Sequence, residues 1–261
     1  MKLTIEELQD ALEQQDDTAV TDKIKETEKL LSSALQAFPN DSFLLNSEAE
    51  FCDLIQQSER GLNALRRAFA TNKRSPYIAL RLARLDERRG DTDGALKVLR
   101  ECADANSEDK DVQFQLGMLL TRLNADAAEI SHHLRRAFTK GDTRYEAQFW
   151  YARALFLDKQ HVDASDWFRA LADAPVASLA KHQTRGVVER DGKPVRFGGR
   201  IDRPERYYVS IIRDGDQLRL HGKRDSFVGE VTNLESGQRV AFDLAFDYRG
   251  PVAINIGIEG R

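Results

Sequence analysis

The sequence predicts a chain in two parts, an all-helical array followed by a small closed β-barrel. Three observations carry that expectation. Apolar residues recur at three- and four-residue spacings from residue 4 to about 174. Two hexapeptides return at one offset: ALRRAF at 64–69 recurs as HLRRAF at 133–138, and ALKVLR at 95–100 aligns with ASDWFR at 164–169, each 69 residues on. Beyond Pro175 the pattern changes to short, roughly alternating β-branched and aromatic segments.

The helical part opens at Thr4-Ile5-Glu6-Glu7, which has the Thr-x-x-Glu form of a capping box. Breaks at Pro39-Asn40-Asp41, Gly90-Asp91 and Gly141-Asp142 divide it into helices, with Gly90 and Gly141 placed where a left-handed helix end is wanted. An offset of 69 is about two units of thirty-four residues, the period of a helix-turn-helix solenoid. The expected division is a helical repeat domain over 1–175, a linker over 176–183, and a five-stranded barrel over 184–257. Its strands are read at 184–190, 195–202, 205–212 and 238–247, with the chain's tail closing the set. Val240, Phe242, Leu244 and Phe246 share one face of the longest run and are expected inside the barrel.

Composition excludes more than it assigns. No apolar run approaches the roughly 18–20 residues of a membrane span, and MKLTIEELQD turns acidic where a signal peptide stays apolar. The chain therefore reads as intracellular and cytoplasmic. Cys52 and Cys102 lie far apart within helical patterns and read as packing residues, so neither a disulfide nor a metal site is expected. His132-His133 are adjacent on a helix and diverge by about 100°, which removes them as joint ligands. Trp150-Tyr151 and Trp167-Phe168 read as core packing. No phosphate-binding glycine loop, nucleophile elbow or carboxylate cluster is present, so the expectation is a non-enzyme without cofactor or metal.

Charge is unevenly placed. Residues 1–184 carry 25 Lys and Arg against 31 Asp and Glu, residues 185–224 carry 11 against 6, and residues 225–261 carry 3 against 6. One basic segment of forty residues in an acidic chain can attract phosphates while the remainder limits indiscriminate binding.

The segment SPYIALRLARLDERRGDTDGALKVLRECADAN at 75–106 resembles a tetratricopeptide repeat, with Leu82-Ala83, Asp86, Gly90, Ala95, Leu99 and Cys102 on that family's helix-packing positions. Leu116-Gly117 begins a similar unit, and Ala164, Phe168 and Leu171 close another. The array is degenerate, with roughly four to five helix pairs. The resemblance implies a protein or peptide partner, and places Arg81, Arg84 and Arg88 as a basic stripe on a first helix, suited to an acidic tail.

Residues 184–256 resemble a cold-shock domain, a small OB-type barrel. The resemblance is carried by Gly186-Val187-Val188 in a first strand, by Phe197-Gly198-Gly199-Arg200-Ile201 and Tyr207-Tyr208-Val209-Ser210 as two aromatic motifs, and by the tail LESGQRVAFDLAFDYRGPVAINI. It implies binding of single-stranded RNA or DNA by base stacking, with cations on the phosphates. Tyr208 takes a stacking position, with Tyr207, Val209 and Ile211 turned to the core and Ser210 standing where the family has His. Arg200 is expected outward. Phe197 is open between platform and core, depending on whether the glycine pair forms a bulge. Arg196 and the loop Arg219, His221, Lys223 and Arg224 complete the expected contact set. The competing reading is a structural barrel in a purely protein-binding scaffold. Ile258-Glu259-Gly260-Arg261 match the recognition sequence of the protease factor Xa and read either as natural residues or as a cloning remnant; in the second case the chain would be the front of a longer nucleic-acid-processing or defence protein, an alternative to the adaptor reading.

Overall fold

Short polar side chains start several of the helices. Asp16, Asp41 and Asp91 accept backbone amides one turn on, at Thr18 and Ala19, at Leu44 and at Gly94, and Ser75 caps a helix whose first residue is Pro76. Gly90 follows the end of the helix Pro76–Arg88 with φ of 80°, where a side chain would be strained, whereas Gly141, with φ of 89°, lies in the connection between the helices Ala127–Arg136 and Tyr145–Leu157 and not at a helix end as expected, because the first of these is already capped at Ala137. The computed structural model describes residues 2–229 and 233–259. Its helices are α1 (Lys2–Glu13), α2 (Asp17–Ala37), α3 (Ser42–Leu54), α4 (Ser58–Thr71), α5 (Pro76–Arg88), α6 (Thr92–Ala105), α7 (Lys110–Arg122), α8 (Ala127–Arg136), α9 (Tyr145–Leu157), α10 (His161–Asp173) and α11 (Ser178–Lys181). Because α1 begins at Lys2, Thr4 lies inside it and does not cap it.

The helices form a tetratricopeptide-like array. Leu82, Ala83, Asp86, Ala95, Leu99 and Cys102 are all buried, as are Leu116, Ala164, Phe168 and Leu171. The recurring hexapeptides fall on α4 and α8 and on α6 and α10, the second helices of their pairs. Burial pushes both cysteine thiols up to about 11, so neither is a thiolate at neutral pH. Among the described residues no helix is long and apolar enough to cross a membrane.

Two compact units divide within α7, one reaching Leu116 and the other starting at Gly117. The second unit holds the strands: β1 (Glu189–Arg190), β2 (Lys193–Pro194), β3 (Arg196–Pro204), β4 (Tyr208–Arg213), β5 (Arg219–Lys223), β6 (Arg239–Asp247) and β7 (Gly250–Ile258). The last five close a barrel in the order β3-β4-β5-β7-β6, with β3 bonded to β6 and only β5 and β7 parallel. That is the Greek-key arrangement of an OB-type barrel.

The first expected strand is not in the barrel. Residues 184–188 lie along β6 through the bonds Arg185 N to Phe246 O (2.8 Å) and Val188 N to Leu244 O (2.8 Å), and β1 and β2 form a separate two-residue hairpin. The glycine-containing motif therefore opens the barrel, and the segment read as a loop at 219–224 supplies strand β5. Ile258 closes β7 opposite Val240, and the Glu259 amide donates to Arg239 O (3.1 Å). Gly260 and Arg261 of the factor Xa match lie outside the described residues.

The interior of the barrel is as expected, with Val240, Phe242, Leu244 and Phe246 wholly buried beside Ile201, Val209, Ile211, Leu220 and Ile256. Its core continues into α9 and α10. Phe246 meets Phe156 edge-on at 5.4 Å and stacks on Phe168 at 6.0 Å, and the Arg185 guanidinium sits over both Phe149 (4.8 Å) and Tyr248 (4.6 Å). Buried Arg153 of α9 donates from Nε to Gly186 O at 2.8 Å. A Cβ on Gly186, whose φ is +60°, would lie 2.9 Å from that arginine.

Candidate nucleic-acid interface

Strand register decides which side chains share the outer face of the barrel. Arg200, Ile212 and Arg219 form one rung across β3, β4 and β5; Arg203, Ser210 and His221 form the next and reach Val252 of β7; Tyr208 lies opposite Lys223 on a third. Directly paired residues point to one side of a sheet. Arg200, Arg203, Tyr208, Arg219, His221 and Lys223 are all exposed. They make one continuous basic face with aromatic rings among the cations. A β-bulge at Asp202 produces part of this, because it shifts the alternation of β3 and turns Arg203 outward, 70% of its side chain exposed.

Tyr208 is 46% exposed, and its ring meets His221 edge-on at 5.8 Å. Tyr207, expected in the core, is 70% exposed and has the Arg206 guanidinium 5.0 Å above its ring. The reason is local: β4 begins at Tyr208, so Tyr207 belongs to the preceding turn and escapes the strand's alternation. Arg224 braces that turn, donating from Nε to Glu205 O at 2.8 Å. At this end the face opens on a cleft of about 850 Å³ lined by Tyr207, Tyr208, His221, Val252, Ile254 and Asp247. Arg206, Lys223 and Arg249 line it too. Loop, strand and turn residues thus converge at one end of β4 and β5.

Other expected contacts are held elsewhere. Phe197 pairs with Phe242 in an unbroken register, packs against the barrel core at 6.2 Å from that ring, and carries the Arg213 guanidinium at 5.4 Å. No bulge forms at the glycine pair, so Phe197 follows Ile201 inward and supplies no platform. Gly199 faces the interior, where a Cβ would lie 2.7 Å from Ile212 O. Arg196 donates to Asp243 (3.0 Å), Asn255 O (2.6 Å) and Ala241 O (2.8 Å), tying β3 to β6 and β7. Ser210 is on the outer face but 5% exposed, and its Oγ lacks a hydrogen-bond partner among the described residues. Arg200 reaches Gln217 at 3.2 Å and Arg219 reaches Asp202 at 3.1 Å, both at exposed positions where such contacts exchange readily.

On α5 the basic stripe divides. Arg81 is 17% exposed, and its guanidinium donates to Asn46 (3.2 Å) and Asp53. Arg84 and Arg88 are exposed, and neither has an ion-pair partner among the described residues. Trp167 and Tyr151 pack with Phe138 in a three-ring cluster, as core packing requires. Among the described residues no group of three or more His, Cys, Asp or Glu could hold a metal ion.

Fold and face together define a helical-repeat array joined to an OB-type barrel with a basic, aromatic outer face. No protein-family model and no curated protein matches the chain. Similar solved structures include YrrB, a tetratricopeptide protein with an unusual peptide-binding site, at 18% identity over 54% of this chain and 72% of that one, with a TM-score of 0.46. The MamA protein is similar at 12% identity over 67% and 96%, TM-score 0.47. The Pseudomonas aeruginosa protein pilF is similar at 13% identity over 68% and 77%, TM-score 0.46.

Proposed function

We propose that the chain is a non-catalytic adaptor whose barrel binds single-stranded RNA or DNA and whose helices hold a protein partner. One observation carries the first half: Arg200, Arg203, Tyr208, Arg219, His221 and Lys223 share a single exposed face that ends in an aromatic cleft. Stacking on exposed rings contributes about 1–3 kcal/mol per base and tolerates any sequence, while the cations hold the phosphates. Supporting the second half, Arg84 and Arg88 lie one turn apart on α5 without partners among the described residues, an arrangement suited to an acidic peptide segment.

The test is a titration of fluorescent single-stranded RNA and DNA with the intact protein and with a Tyr208→Ala/Arg200→Ala variant at two salt concentrations. The expected result is binding that weakens with salt and falls at least about tenfold in the variant. Absence of binding at low salt would retire the nucleic-acid reading in favour of a purely protein-binding scaffold.

A further inference from the structure

Four carboxylates are buried among the described residues: Glu48, Asp86, Asp243 and Asp247. The first three each meet an arginine, Arg60 at 3.0 Å, Arg66 at 3.2 Å and Arg196 at 3.0 Å. Asp247 does not. It ends β6 at the turn into β7, is 5% exposed, and accepts only the Arg249 backbone amide, at 2.7 Å on Oδ1. No side chain among the described residues donates to its other oxygen. Buried acceptors are normally satisfied, and a buried charge is normally paired. Here the residue with the under-used carboxylate lines the same cleft as Tyr207, Tyr208 and His221 and the apolar Val252 and Ile254.

The lining of this cleft offers two kinds of ligand chemistry. Arg206, Lys223 and Arg249 suit phosphates, whereas the Asp247 carboxylate repels them and calls for a donor. A stacked nucleotide supplies both, its phosphate to the cations and its Watson–Crick edge to the carboxylate. We propose that Asp247 reads that edge, accepting hydrogen bonds from an amino-bearing base, so that the face prefers guanine-containing single strands to strands of uracil or thymine alone. The inference rests on the nucleic-acid reading above and adds a specificity-determining residue to it. Guanine fits best because N1–H and the N2 amino group are adjacent donors. Uracil offers one N–H between two carbonyls that the carboxylate repels.

Fluorescence anisotropy of uracil 12-mers, either unsubstituted or carrying dispersed guanine or inosine, tests this with the intact protein and with Asp247→Asn. Guanine is expected to tighten binding about tenfold, the scale of a good carboxylate-to-base contact. Inosine, which lacks the N2 amino group, should lose most of that gain, and this comparison needs no variant. Asp247→Asn keeps an acceptor for the Arg249 amide; a thermal melt checks its fold. It should bind the uracil strand as the parent does, with the guanine preference reduced to within about twofold. Equal affinity for guanine and uracil strands, or a preference undiminished in Asp247→Asn, would overturn the inference while leaving strand binding intact. No binding to any strand would overturn both.

Discussion

Asp247 has a second consequence, in stability. Burial is the largest influence on it and raises its pKa above the ordinary carboxylate value of 3.8, against smaller opposing effects from the Arg249 amide and from the charges of His182, Arg249 and Lys223. A carboxyl whose folded pKa is raised supports the fold when protonated, and that support is lost as pH rises through the folded pKa. At neutral pH the ionised side chain therefore works against folding. Asp247→Asn should melt at a higher temperature than the parent at neutral pH, the advantage shrinking as pH falls through the raised folded pKa and gone once it drops below the ordinary value of 3.8. Circular-dichroism melts across that range measure it, and a constant difference would mean the charge is not responsible. Nothing in the linear sequence marked this residue, because Asp at a strand end before Tyr-Arg-Gly reads as a turn former. Only the topology brings it to one cleft with Tyr207, Tyr208 and His221. Phe197 shows the opposite failure: its aromatic type suggested a platform, and continuous pairing with β6 turned it inward.

Among the elements, hydrophobic period was the most legible signal. It located the helices, the Gly90 and Gly141 turns and the inner face of β6, because each depends on local spacing and a few residue types. Strand identity was less legible. The stretch at 184–190 has strand composition, yet it only flanks β6, since the β1–β2 hairpin interrupts it before the barrel begins. The boundary near residue 175 likewise follows the change of pattern and not the packing, for α9 and α10 share aromatic contacts with β6. Phe246 stands at the centre of that shared core. Phe246→Ala should cost about 3–5 kcal/mol, by the lost transfer of a buried ring and the space it leaves. The loss should appear in one transition: far-ultraviolet ellipticity of the helices of this unit and near-ultraviolet signals of its packed aromatics should shift together. A barrel transition that moves while the α9–α10 signal stays fixed would show the two to be energetically separate.

For the molecule as a whole, the uneven charge in the sequence becomes a located surface. Much of the basic segment folds into β3, β4 and β5, where Arg200, Arg203, Arg219 and Lys223 point outward and Ile201, Val209, Ile211 and Leu220 inward. That much was readable in advance. The convergence of Tyr207, Tyr208, His221, Arg249 and Asp247 was not, because it depends on the parallel pairing of β5 with β7. The central claim is that a single strand lies along this face, and photo-crosslinking tests it most directly. A 12-mer bearing 4-thiouracil would be irradiated with the intact protein and the adducts mapped by mass spectrometry. The account predicts adducts on the peptides carrying Tyr207, Tyr208 and His221, reduced at high salt. Adducts confined to the helices of the first unit, or none at low salt, would contradict it.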